Sequence, residues 1–191
     1  MRSASRLAKE QRQLMSELAS AVAGRVEVPA EPTVLFEALC SAMGERRGRP
    51  TTLGIREFPK DIAHGTTGLW LDLEDRDLVV IEENLTPDHQ LVVLGHELWH
   101  MHAGHAGHGI GRGARAARTA LTAAIDWPEI VRRVAARSHS VQDDEVAAEM
   151  FGLLMGSQMR SWLLGPRAAG VQLDEVARRI NAALGYPGVR G

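Results

Sequence analysis

The chain has one cysteine, one tyrosine, three phenylalanines and no basic excess among its 191 residues. A lone thiol, Cys40, excludes an internal disulfide and a thiolate-rich metal site. Nothing around Cys40 marks it as reactive, and it reads as a small buried hydrophobe. Aromatics at 4% leave few platforms for stacking single-stranded bases. Lys+Arg 22 against Asp+Glu 24 gives a net charge of −2. A protein that grips a phosphate backbone carries a basic surplus, so direct nucleic-acid binding is not expected. No apolar run approaches the roughly 18 residues of a membrane span, so no membrane partner is expected either. The first residues, MRSASRLAKEQRQLMSELASAVAG, are charged and helix-periodic, without the apolar core and cleavage site of a signal peptide. With one thiol and no export signal, a cytoplasmic protein is expected.

What remains is ordinary globular material, 45% hydrophobic and 24% charged. At this length roughly 70% of the unfolded chain's surface can be buried, enough for one domain with its own core. The periodicity predicts a helix over Ser5 to Ala23, with Leu7, Leu14, Leu18 and Val22 near one face. A proline-bearing connector, Val26 to Pro32, and a second helix, Thr33 to Glu45, follow. Leu53-Ile55-Phe58, Gly68 to Leu73 and Leu78 to Ile81 read as three strands. Their spacing suggests an antiparallel meander. Thr86-Pro87-Asp88 is a strong helix start, with a hydroxyl cap, a proline at the first position and an early acid. That helix should run to about Met101. Further helices are expected at Arg115 to Thr122, from Asp126 to about Arg137, from Asp143 or Asp144 to about Leu164, and from Leu173 to Leu184. Gly165-Pro166 is read as the stop between the last two. The expected fold is α+β, a small antiparallel three-stranded sheet against helices. It forms one domain over 1–191, with an N-terminal helical extension at about 1–30 and an insertion at about 101–144.

The third helix carries Gly95-His96-Glu97-Leu98-Trp99-His100. Residues four apart lie one turn apart on one helical face, so both imidazoles can reach one ion. Glu97 stands about 100° round the helix, where its carboxylate can act as a base toward water rather than as a ligand. Imidazole nitrogen suits Zn2+, which acidifies water enough for attack on a carbonyl near neutral pH. Chance would place about 0.03 such patterns in a chain of this composition, so context must support it. Context is present, since the pattern falls inside a capped helix that follows a strand region.

A zinc peptidase needs a third protein ligand and an open fourth position. Glu145 is the leading candidate, at the head of a helical stretch with small residues where another helix could approach. Glu149, one turn on, could accept a bond from a ligand imidazole. His102, His105 and His108 compete for the third place. His105 is five residues past His100, whereas the metzincin arrangement needs a histidine six past it, where Ala106 stands. For a catalytic donor to the developing oxyanion, His139 is the best candidate, with His64 and Tyr186 behind it. The glycines Gly107, Gly109, Gly111 and Gly113 lack the Gly-Lys-Ser/Thr ending of a phosphate loop. The first half of the insertion, Gly104 to Gly113, is expected to be mobile and to border the substrate groove, with Trp127 to Arg137 a docked helix.

A helical start, three strands, a His-Glu-x-x-His helix and a later helix with Glu145, Ala148, Phe151 and Leu153-Leu154-Met155 resemble the ImmA/IrrE metallopeptidase family. The resemblance covers about half the chain. It implies His96, His100 and Glu145 as Zn2+ ligands and Glu97 as the catalytic base. It further implies hydrolysis of a peptide bond in a protein partner, a separately encoded helix-turn-helix repressor or antitoxin-like regulator, in stress response or toxin–antitoxin control. Two departures stand out. Trp99 occupies a position where the family usually has glycine, and Met101 to Asp144 is longer than the usual interval. A non-catalytic zinc module that sequesters a regulator is the competing expectation, and the occupant of the fourth zinc position separates the two.

Overall fold

The computed structural model describes residues 4–58, 66–73, 75–104 and 142–183, excepting the side chains of 142, 143 and 165–183. The chain is α+β, with four helices and a three-stranded sheet among the described residues. The elements in order are α1 (Ala4–Val22), α2 (Pro32–Arg47), β1 (Thr51–Arg56), β2 (Gly68–Asp72), β3 (Asp77–Glu82), α3 (Pro87–Ala103) and α4 (Gln142–Ala183). The helices expected at 115–122 and 126–137 lie outside the described residues, as does 105–113. No described helix is long and apolar enough to cross a membrane.

The sheet is mixed, not antiparallel. Its order is β1-β3-β2, with β1 parallel to β3 and β2 antiparallel to β3. The register pairs Leu53 with Val79 on one side and Trp70 with Val79 on the other. Only the β2–β3 interval, 73–76, is short enough for a hairpin, which Leu73 N–H closes on Arg76 O at 3.0 Å. Residues 57–67 separate β1 from β2, and the whole of 57–76 lies between β1 and β3. That length permits the crossover a parallel pair requires.

α2 starts with Pro32 and ends on Gly48, whose φ of 72° is the left-handed conformation a Cβ would oppose. α3 starts where Thr86-Pro87 predicts, but the Thr86 side chain makes no cap bond. Its carbonyl instead accepts the N–H groups of His89 and Gln90. The Gln90 amide donates to the carbonyls of Glu82 and Glu83, tying the first turn of α3 to the end of β3.

α4 overrides the expected break at Gly165-Pro166 and runs on to Ala183. A proline inside a helix removes the hydrogen bond to the carbonyl four residues back, here that of Trp162. Ala30 N–H donates to that carbonyl at 2.8 Å, so it keeps a partner.

One apolar core joins all four helices to the sheet. α1 contributes Leu14, Met15, Leu18 and Val22; α2 contributes Leu35, Phe36, Leu39 and Met43. Val79 and Ile81 of β3 meet Leu94 and Leu98 of α3 and Phe151, Met155 and Met159 of α4 in the same cluster. Full burial of a side chain such as Phe151 contributes about 1.5–3 kcal/mol. Cys40 is buried there too, and burial pushes its thiol up to about 12, in keeping with a packing role.

One charge is fully enclosed among the described residues. Asp77, 0% exposed, accepts Trp70 Nε1–H at 2.9 Å and Arg47 Nε–H at 3.0 Å, with Arg49 Nε at 3.6 Å. Arg47 also lies over the Trp70 ring and donates to the Met101 carbonyl near the end of α3. This network fixes β2 against α3, and that contact builds one wall of the site.

Candidate metal centre

Periodicity on α3 and a helix crossing together assemble the site. His96 and His100, one turn apart, bring their Nε2 atoms to 3.0 Å. Glu145, in the first turns of α4, places Oε2 3.5 Å from His96 Nε2 and Oε1 3.6 Å from His100 Nε2. One ligand atom from each of the three lies within 4.8 Å of the others, the only such cluster of three or more among the described residues. Bonds of 2.0–2.1 Å in a tetrahedron put ligand atoms roughly 3.3 Å apart, so this donor set fits zinc.

α3 and α4 come close because glycine lines their crossing. A Cβ on Gly152 would stand 2.5 Å from the Val92 carbonyl oxygen, and one on Gly95 would stand 2.9 Å from Gly152 Cα. Gly156 meets the Val92 side chain in the same way, at 2.6 Å. Spacing on α4 holds the signal: Ala148, Gly152 and Gly156 recur every four residues along one face.

Glu97 points the other way round the helix, toward β2. It is 3% exposed, accepts the Trp70 backbone N–H, and keeps Oε2 buried without a hydrogen-bond partner among the described residues. Gly68 makes the room, since a Cβ there would lie 2.4 Å from Val93 Cγ1 and 3.0 Å from Glu97 Oε1. Burial pushes the carboxyl up to about 8, and the charge of Glu145 adds to the shift against the Trp70 hydrogen bond. Burial also lowers the His96 pKa, opposed by Glu145 and Glu149, and so favours the neutral imidazole that binds a metal.

His96, Glu97 and Glu145 open into one cleft of about 500 Å³, walled by Gly68, Val92, Val93 and Leu153. Glu149 is exposed and lines the same cleft. Its charge acts on His96, raising the imidazole pKa against the effect of burial. His102 points elsewhere, with Nε2 3.1 Å from Glu10 Oε1 on α1. It therefore does not compete with Glu145. Its ring packs on Trp99, which is 1% exposed and also stacks against Phe151 at 5.3 Å. The bulk at position 99 is thus absorbed by the core. His64, His105, His108, His139 and Tyr186 lie outside the described residues.

Comparison with known protein families, with curated proteins and with solved structures finds no match to this chain.

Proposed function

We propose that the chain is a zinc-dependent endopeptidase of the ImmA/IrrE type. Its substrate is a peptide bond in a cytoplasmic protein partner, a helix-turn-helix repressor or antitoxin-like regulator. One observation carries this reading: His96, His100 and Glu145 are spaced for a single ion, and two of them, His96 and Glu145, line the same cleft as the buried Glu97 carboxylate, whose Oε2 has no hydrogen-bond partner among the described residues. His96, His100 and Glu145 would hold the zinc. When bound, zinc supplies a Lewis acid that polarises a carbonyl and acidifies water.

The chain's own groups do the rest. Glu97 takes a proton from the attacking water at Oε2 and returns it to the leaving amine. The Trp70 N–H holds the other side of that carboxylate in place, so the proton is exchanged at a fixed atom. Val92, Val93 and Leu153 shield the reacting carbonyl from bulk water and give the polypeptide apolar contacts.

The test combines metal analysis with turnover on a partner protein. Wild type purified without chelator should carry close to one equivalent of zinc. Glu97→Gln should keep zinc, lose at least about 100-fold in turnover and trap the uncut partner, whereas His96→Ala should lose both. Wild type with less than half an equivalent would sink the proposal. Zinc and partner bound without any cleavage would favour the sequestering module instead.

A further inference from the structure

Glu10 and Gln11 are neighbours on α1, about 100° apart round the helix, and each reaches a different ligand-bearing helix. The Gln11 amide nitrogen donates to the Ala147 carbonyl at 2.8 Å, two residues past Glu145 on α4. Glu10 Oε1 lies 3.1 Å from His102 Nε2, two residues past His100 on α3. His102 in turn packs on Trp99, the residue next to His100. A single step along α1 therefore touches the turn behind each half of the metal centre.

Gln11 is 3% exposed and lies on the face that also buries Leu14, Met15 and Leu18. A leucine there would bury apolar surface without desolvating an amide. What the amide adds is direction, because a hydrogen bond has a length and an angle whereas apolar contact has neither. The glycine crossing limits how near α3 and α4 can come. It does not limit sliding or opening at the end where Glu145 sits.

From this placement we infer that Glu10 and Gln11 are positioning residues for the metal centre. Together they clasp α3 to α4 and set the separation of His100 from Glu145. The inference rests on the metal-centre reading above and deepens it, since it assigns control of the site to a helix that contributes no ligand. First-coordination groups need placement within about 0.5 Å, and partners that orient ligands change metal affinity by roughly 10–100-fold when removed.

Co2+ added to the chelator-treated full chain tests this, because its visible absorption reports coordination geometry as well as occupancy. Gln11→Leu and Glu10→Ala should each weaken Co2+ binding by about tenfold or more. At saturating Co2+ their visible bands should differ from wild type, a change that lower stability alone does not produce. Glu10→Gln, which keeps an acceptor for His102, should restore affinity to within about threefold of wild type. The metal-free melting temperature and circular dichroism establish that each variant is folded. Should Gln11→Leu fail to fold, Gln11→Asn, which shortens the reach of the same amide, takes its place with the same expectation. Folded variants with wild-type affinity and wild-type spectra would overturn the clasp while leaving the metal centre intact. A wild-type chain that binds no Co2+ would overturn the metal centre itself, and the clasp with it.

Discussion

The two halves of the candidate centre rest on different physics. His96, Glu97 and His100 fall within five consecutive residues of α3, and helical periodicity alone puts both imidazoles on one face with Nε2 atoms 3.0 Å apart. Glu145 has no such local guarantee. Its carboxylate comes within 3.5 and 3.6 Å of the imidazoles only because α4 crosses α3 at glycines and the core on either side holds the crossing. A ligand pair written into one helix should survive changes in packing. A ligand delivered by tertiary contact should not.

Substitution at the crossing is the sharpest way to break that contrast. In Gly152→Ala the new Cβ would meet the Val92 carbonyl oxygen at 2.5 Å, a backbone atom that cannot rotate away, so α4 must move. The expected result is a loss of about 3 kcal/mol, with more than tenfold weaker zinc binding as Glu145 is drawn off. Gly95→Ala, at 2.9 Å from Gly152 Cα and 3.0 Å from Met155 Cβ, should cost about 2 kcal/mol. Gly156→Ala meets Val92 Cγ2 rather than backbone, so a small shift of one side chain relieves it, and it should cost about 1 kcal/mol. Thermal melts and zinc titration across the three variants check the order. If Gly152→Ala retained wild-type zinc affinity, the crossing would not be what places Glu145.

The same division explains what could be read from the sequence. The α+β class, the three strands and the start of α3 at Pro87 follow from short-range signals: alternation, turn residues and a proline at the first helical position. Strand order does not. The hairpin interval 73–76 is local, but pairing β1 with β3 is a choice among sheet edges that spacing alone misjudged. Gly165-Pro166 misled for a related reason, since the carbonyl freed by Pro166 finds its donor on Ala30, 132 residues earlier in the chain. At the site, the two histidines and Glu97 were legible from a four-residue spacing. Glu145 is the leading third-ligand candidate from its place at the head of a helical stretch, the resemblance implies it too, and the structure places it beside both imidazoles. Gly68 and the Trp70 N–H, which house the Glu97 carboxylate, carry no motif, because their role exists only once β2 lies against α3.

Glu97 sits between the two cases, positioned by α3 but titrated by β2, and its pH dependence sharpens the comparison further. In chelator-treated protein, burial and the nearby Glu145 charge hold its carboxyl at about 8, against about 4.3 in an unfolded chain. The folded state therefore binds this proton more tightly than the unfolded state does. Its contribution to stability is complete below the unfolded value and is lost as pH rises toward the folded one. Between about pH 4.3 and 8 the metal-free wild type should lose stability relative to Glu97→Gln at about 1.4 kcal/mol per pH unit, the slope of one proton. Above that window the difference should level off. A bound dication would favour the carboxylate and flatten the slope, so zinc-loaded wild type should follow Glu97→Gln more closely. Urea melts at several pH values, with and without chelator, measure it. Parallel profiles for metal-free wild type and Glu97→Gln would show that the carboxylate is already ionised below neutral pH, and that β2 does not seal it.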